Sequence, residues 1–323
     1  MQPFDAVLLV AFGGPRGPAD VRPFLENVLR GRRVSPSRIE EVAHHYDIFG
    51  GVSPLTDLTM QQARGLEAAL RARGFSLPVH VGMRNWHPLV SDTLATMSAG
   101  GVRRAIGVLA AAQRSYSGCA QYKENVRDAR AALRGRHLAD VDIAYVNDWH
   151  EHPGFIEANA DHVRAAFSRL PADVKGDARL VFTAHSIPVS MADRYPYRQN
   201  LESAARLVAR ATGRSDWALV YQSRSGRPED PWLEPDVSDY LKAEHAKGLR
   251  AAVLCPIGFL CDHIEVLYDL DVEAAETCRA IGLPMTRASA VNAHPRFIDA
   301  LADAVVDVWN RYRHGRALTL AVT

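Results

Sequence analysis

Cysteine, long apolar runs and a surplus of either charge are all scarce in this sequence. Its 323 residues hold four cysteines, Cys119, Cys255, Cys261 and Cys278, with no CxxC pair and no zinc-finger spacing. That argues against a disulfide framework or a thiolate metal knuckle, and for the reduced thiols of a cytosolic protein. The longest apolar run, Ala6 to Phe12, is strand-sized and far short of the roughly 18 residues that span a bilayer. The N-terminal residues show no basic stretch followed by an apolar one, so a cytoplasmic location is expected. Lys and Arg total 38 against 37 for Asp and Glu. Such a balance gives no global attraction to nucleic acid or an anionic membrane, and no nucleic-acid partner is expected. Phosphate-binding loops are missing too. Gly13-Gly14-Pro15-Arg16-Gly17 has neither the GxGxxG nor the GxxxxGK[ST] spacing and reads as a tight turn.

What is present is an ordinary globular composition, 47% hydrophobic and 23% charged, long enough for two domains of about 150 residues each. Short apolar runs alternate with amphipathic stretches. Strands are expected at Ala6 to Phe12, Pro78 to Gly82, Ala105 to Ala110, Asp142 to Val146, Leu180 to Ala184, Ala218 to Gln222 and Ala251 to Pro256. Helical patterns run from Leu58 to Arg73, Gly154 to Leu170 and Asn200 to Ala211. Strand then helix, repeated, predicts an α/β fold with parallel sheets. A weak internal repeat sharpens this: Leu8 to Pro15 is echoed by Leu180 to Pro188, and Gly101 to Ile106 by Gly248 to Val253, in the same order. Two similar Rossmann-like domains follow, 1–155 and 156–323, each a parallel sheet flanked by helices. The last helical pattern, Pro295 to Tyr312, suits either half. Ligands of such sheets bind beyond the carboxyl ends of the strands.

Three places at or near strand ends carry chemistry. His185 leaves the strand Leu180 to Ala184 and suits a base or metal ligand as well as a bond to a neighbouring element. After Pro256 a helix is expected from about Asp262, with Ile264, Leu267, Tyr268, Leu270, Ala274, Ala275 and Cys278 on an apolar face and Asp262, Glu265, Asp269, Glu273 and Glu276 on an acidic stripe. Asp262 and Glu265 have the spacing of a capping box, and the rest reads as a solvated face. Equally, the i, i+4, i+8 ladder of Glu265, Asp269 and Glu273 has no interleaved cation and suits relay of a hard divalent ion. The third place is basic and aromatic: Arg30, Arg32 and Arg33, then His44, His45, Tyr46 and Phe49 to Leu55. It is either an exposed basic loop or a clamp for a flat anionic ligand.

Two of these segments, Thr183-Ala184-His185-Ser186-Ile187-Pro188 and Pro256-Ile257-Gly258-Phe259 through Asp262-His263-Ile264-Glu265-Val266-Leu267-Tyr268-Asp269-Leu270-Asp271, resemble the two signatures of ferrochelatases. Tyr221 to Arg224 with Pro231 to Leu233, and Phe49 to Leu55, resemble further family segments in the same order, so the resemblance runs from about residue 4 to 310. It implies two Rossmann-like domains with a porphyrin cleft between, and exchange of two pyrrole protons for Fe²⁺. By this resemblance His185 and Glu265 are the catalytic pair facing the metal, and Asp269 and Glu273 lead the metal inward. Phe12, Arg30, His45, Tyr46, Ser53 and Tyr122 fall where the bacterial coproporphyrin branch contacts the macrocycle or its propionates. Phe12 stands where many relatives carry tyrosine, and His45 where they carry arginine. Iron is then a substrate, and no [2Fe–2S] cluster is expected, because no cysteine follows Cys278.

The expected substrate is coproporphyrin III, whose four propionates call for the polar Arg30 to Ser53 region. The alternatives are protoporphyrin IX, which has two, and a non-catalytic tetrapyrrole- or metal-binding protein. A nucleotide-dependent enzyme is disfavoured by the missing phosphate loop. The resemblance also implies a monomer, with transient contact to neighbouring haem-pathway enzymes as a further expectation.

Overall fold

The computed structural model describes residues 2–31, 36–225 and 229–313. Arg32 and Arg33 lie outside the described residues. In chain order the elements of the first half are β1 (Ala6–Ala11), α1 (Pro18–Leu29), α2 (Pro36–Asp47), α3 (Leu55–Ala72), β2 (Val79–Met83), α4 (Val90–Ala99), β3 (Arg104–Leu109), α5 (Gln121–Gly135) and β4 (Asp142–Tyr145). Those of the second are α6 (Pro153–Ser168), β5 (Arg179–His185), α7 (Val189–Ala192), α8 (Tyr197–Ala211), β6 (Trp217–Gln222), α9 (Val237–Ala246), β7 (Ala252–Cys255), α10 (Ile264–Val266), α11 (Ala275–Ile281), β8 (Met285–Arg287) and α12 (Pro295–Arg313). A π-helical stretch, Leu267–Ala274, joins α10 to α11.

The chain divides into two compact units. One is formed by Met1–Ala111, Tyr116–Asn147 and the described part of Ile298–Thr323, the other by Ala112–Ser115 and Asp148–Phe297. A single cut near residue 155 would assign all of α12 to the second half, whereas from Ile298 onward this helix belongs to the first unit. Its attachment there is specific. Ile298 packs where a side chain on Gly65 would stand 3.2 Å from it. Arg73 bridges Asp299 at 2.9 Å and Asp303 at 2.8 Å, and Trp309 meets Phe75 at 5.4 Å between ring centres.

In the first unit the strand order is β2-β1-β3-β4 and every pairing is parallel. The central strand β1, Ala-Val-Leu-Leu-Val-Ala, is buried along its whole length, as expected of a parallel strand covered on both faces. Leu8 and Val10 pack with Leu94 and Met97 of α4 and with Val126 and Leu133 of α5. The second unit has the order β6-β5-β7-β8, again all parallel. Its core joins Val181, Val220 and Leu254 to Leu241 of α9 and to the inward side chains of the α10–α11 segment. In each unit the first strand lies between the second and the third, so the internal repeat is a repeat of topology. Among the strands of the described residues, β8 was not expected: it is only three residues long and reads Met-Thr-Arg, with no apolar run.

Among the described residues no helix is long and apolar enough to cross a membrane.

Candidate active site

His185 is the last residue of β5. The strand end is fixed by the Tyr197 hydroxyl, which donates to the His185 carbonyl at 3.1 Å, and by the Ser186 N–H, which donates to the Gln222 carbonyl at 2.8 Å. Burial pushes the Tyr197 phenol well above its ordinary range, so it stays a donor. His185 Nδ1 lies 2.5 Å from the Ser186 carbonyl. A carbonyl only accepts, so Nδ1 carries a proton, and Nε2 is the ring nitrogen turned toward the acid. That Nε2 is 3.9 Å from Glu265 Oε2.

Glu265 is reached from a second side. His263 Nε2 lies 3.4 Å from the same carboxylate oxygen. Burial opposes ionisation of Glu265, but His185 and His263 outweigh it and hold the carboxyl down at about 2. The loop bringing these residues in lies directly on β5. The Gly258 N–H donates to the Thr183 carbonyl at 3.1 Å, and a Cβ on Gly258 would stand 2.5 Å from Ala184 Cβ and 2.8 Å from Ala184 Cα. Only glycine allows that approach beside the end of β5.

The helix after the loop departs from the expected one. His263, not Asp262, precedes its first turn, and no side chain caps it. The capping box of Asp262 and Glu265 is therefore not formed. Asp262 accepts instead from Arg287 Nη1 at 2.7 Å, Ala290 N at 3.0 Å and Asn292 Nδ2 at 2.8 Å. Arg287 also binds Asp271 at 2.6 and 2.7 Å, so the cation missing from the acidic stripe comes from β8.

The π stretch changes which residues share a line. Val266, Leu270, Ala274 and Cys278, each four residues apart, are all buried, while the expected Leu267, Tyr268 and Ala275 are only half-buried. Each four-residue step drifts by about 40° on an α-helix, and the wider π turn counteracts that drift. One residue earlier in each step stand Glu265, Asp269 and Glu273, which therefore run beside the buried line.

Asp269 is the second perturbed acid. Ser223, at φ 60°, turns its hydroxyl onto Asp269 Oδ2. Gln222 Nε2 donates to the same oxygen at 3.3 Å and to the Glu265 carbonyl at 2.9 Å. Burial pushes the carboxyl up to about 8 against the Ser223 hydrogen bond, and repulsion from Glu265 and Glu273 adds to the rise. A cavity of about 300 Å³ is lined by Gln222, Ser223, Asp236, Asp269, Glu273 and Thr277. Among the described residues no three His, Cys, Asp or Glu side chains gather to hold a metal ion. His185 and Glu265 face one another, and Asp269 and Glu273 follow Glu265 at four-residue steps along the segment.

The other expected residues sit in the first unit. Phe12, one residue beyond β1, is half-buried against the core cluster that contains the buried Tyr122. Phe24 links Phe12, at 6.2 Å between ring centres, to Tyr46 at 5.9 Å and Trp86 at 6.3 Å. His45 is half-buried beside Tyr46 on α2. Ser53 is buried next to the glycine turn after β1, where a Cβ on Gly14 would stand 2.8 Å from it. Arg30 caps α1 and is exposed. The sequence reading missed His263, Gln222, Ser223, Phe24 and Trp86. His263 left a local signal, as an imidazole two residues before a candidate catalytic acid, and Gln222 and Ser223 lie in the Tyr221 to Arg224 segment that carries part of the family resemblance.

Two parallel four-stranded sheets of like order, with an imidazole at a strand end of one and a carboxylate on the helix beside it, define a chelatase-type α/β fold. The sirohydrochlorin chelatase SirB from Bacillus subtilis subspecies spizizenii in complex with cobalt superposes with a TM-score of 0.56 at 13% identity, over 98% of this chain and 99% of that one. SirB from Bacillus subtilis with Fe³⁺ gives 0.58 at 13% identity, again over 98% and 99% of the two chains. Residues 4–308 match the ferrochelatase family model, and the chain belongs to the ferrochelatase family, enzymes that insert ferrous iron into a porphyrin. It is 46% identical to the coproporphyrin III ferrochelatase of Mycolicibacterium smegmatis, over 97% of this chain and 91% of that protein. Identity is 48% with the coproporphyrin III ferrochelatase of Nocardia farcinica, over 91% and 85%. It is 47% with the ferrochelatase of Rhodopirellula baltica, over 94% and 85%.

Proposed function

We propose that this enzyme inserts Fe²⁺ into coproporphyrin III, releasing iron coproporphyrin III and two protons. The observation that carries the chemistry is Glu265, kept ionised between the imidazoles of His185 and His263. His185, with its proton on Nδ1 and a lone pair on Nε2, takes a pyrrole proton. The imidazolium so formed stands 3.9 Å from the Glu265 carboxylate, which offsets its charge and that of the incoming metal. Asp269 and Glu273 hand the ion toward Glu265. Phe12 and Tyr46 cover the macrocycle face, Tyr122 backs Phe12, and Arg30, His45 and Ser53 meet its propionates. With no hydroxyl, Phe12 contributes apolar contact alone.

The coproporphyrin assignment is supported by the names of the relatives in Mycolicibacterium and Nocardia and by the polar Arg30 to Ser53 region. Anaerobic Fe²⁺ insertion, followed by absorbance with coproporphyrin III and protoporphyrin IX offered separately, tests it. Faster turnover of coproporphyrin III is expected. Preference for protoporphyrin IX would make haem the direct product, and stoichiometric binding without turnover would make the chain a carrier.

A further inference from the structure

Several arginines of the first unit are cancelled by carboxylates, among them Arg16 by Asp57 and Arg130 by Asp140. On α1 itself, Arg22 makes a two-point bridge to Glu40 at 2.6 and 2.7 Å. Eight residues further along the same helix Arg30 is treated differently. Among the described residues it has no acidic partner, and its Nη2 donates to the side-chain oxygen of Asn27 at 2.5 Å. The other end of that amide is also committed, since Asn27 Nδ2 donates to the Asn85 carbonyl at 3.4 Å. Asn85 is in turn fixed to the end of the central strand, its N–H donating to the Phe12 carbonyl at 3.0 Å. With one end on a carbonyl, which only accepts, the amide must turn its oxygen toward Arg30.

We infer that Asn27 is a positioning residue for porphyrin binding: it aims the Arg30 guanidinium from the Asn85 backbone, itself bonded to that of Phe12, and being neutral it leaves the whole positive charge for a substrate carboxylate. This rests on the reading of Arg30 as a propionate contact. An aspartate at position 27 would hold the guanidinium as firmly but neutralise it. An alanine would leave the charge and release the side chain. The two substitutions therefore separate aim from charge, which a purely structural role for Asn27 would not do.

The experiment measures coproporphyrin III affinity by fluorescence and its KM in turnover, at low and moderate salt, for Asn27→Ala, Asn27→Asp, Arg30→Gln and the Asn27→Ala/Arg30→Gln double variant. Expected are a rise of about threefold for Asn27→Ala with the salt dependence kept, and about tenfold for Asn27→Asp and Arg30→Gln with the salt dependence reduced. The double variant should match Arg30→Gln alone, while the KM for Fe²⁺ stays unchanged throughout. If Arg30→Gln weakens binding but both Asn27 variants bind as the parent does, or if the double variant is additive, the inference is overturned while the Arg30 contact stands. If Arg30→Gln binds normally, the Arg30 reading falls and the inference falls with it.

Discussion

Replacing Asp269 by Asn should make the protein more stable and a poorer user of iron. Asp269 is pushed from the ordinary 3.8 up to about 8 by burial and by Glu265 and Glu273. Between those values the folded chain holds a proton that the unfolded chain has released. Unfolding is then favoured as pH rises, and the loss is complete above the folded value. At 1.36 kcal/mol per pH unit the ceiling is about 6 kcal/mol. Asp269 lines an open pocket and accepts from Ser223 and Gln222, so about 2 kcal/mol is the realistic size. Asparagine keeps the shape and an oxygen for both donors, and it has no proton to lose. Urea unfolding at pH 5, 7 and 9 should therefore show a difference between variant and parent that is small at pH 5 and grows to about 2 kcal/mol by pH 9. In turnover assays the variant should need more Fe²⁺ for half-maximal rate. A stability difference that does not change with pH would refute the electrostatic account. An unchanged iron requirement would remove Asp269 from the metal route.

Other consequences follow from the same geometry. His185→Ala should lower kcat by about a hundredfold or more while porphyrin binding, read by fluorescence, remains; near-normal turnover would sink the assignment. Gly258→Ala must push its loop off Ala184, where a Cβ would sit at 2.5 Å from a side chain and 2.8 Å from the backbone, and should lower stability by about 1–3 kcal/mol in denaturant unfolding. Arg287→Ala leaves Asp262 and Asp271 without their shared cation, which is only 12% exposed, and should cost about 3 kcal/mol by the same measurement.

Much of the fold was legible because its determinants are local. Seven of the strands are short apolar runs, and the repeat of Leu8 to Pro15 at Leu180 to Pro188 announced two sheets built alike. What escaped depends on partners distant in sequence. β8 exists because Leu254 and its neighbours in β7 offer a free edge, not because Met-Thr-Arg favours a strand. The home of α12 was undecidable from its own pattern. It is fixed by Gly65, Arg73 and Phe75, more than two hundred residues away. In the candidate site, the helical wheel assumed α geometry through residues 267–274, so it put Leu267, Tyr268 and Ala275 on the apolar face and left Val266 off it, and it gave Asp262 a cap that Arg287 and Asn292 took away. The four-residue spacing of Glu265, Asp269 and Glu273 was visible. That a π stretch runs through it was not, since the π turn is a property of backbone bonding and packing.

The sequence also could not reveal that this ladder is uneven. Glu265 and Asp269 are one step apart, yet their surroundings drive them in opposite directions: two imidazoles keep the first ionised, while two neighbouring carboxylates and burial keep a proton on the second near neutral pH. Divergent neighbours of this kind separate the roles of paired acids. On the proposed route, a cation arriving from the Glu273 side must displace the Asp269 proton before that carboxylate can hold it. It then meets at Glu265 a charge already in place. On that proposed route, holding the ion at Asp269 would cost a proton and passing it on would regain one. An iron requirement at half-maximal rate that falls as pH is raised from 6 toward 8, and loses this pH dependence in Asp269→Asn, would mark that exchange. A pH dependence that survives the substitution would place the proton elsewhere.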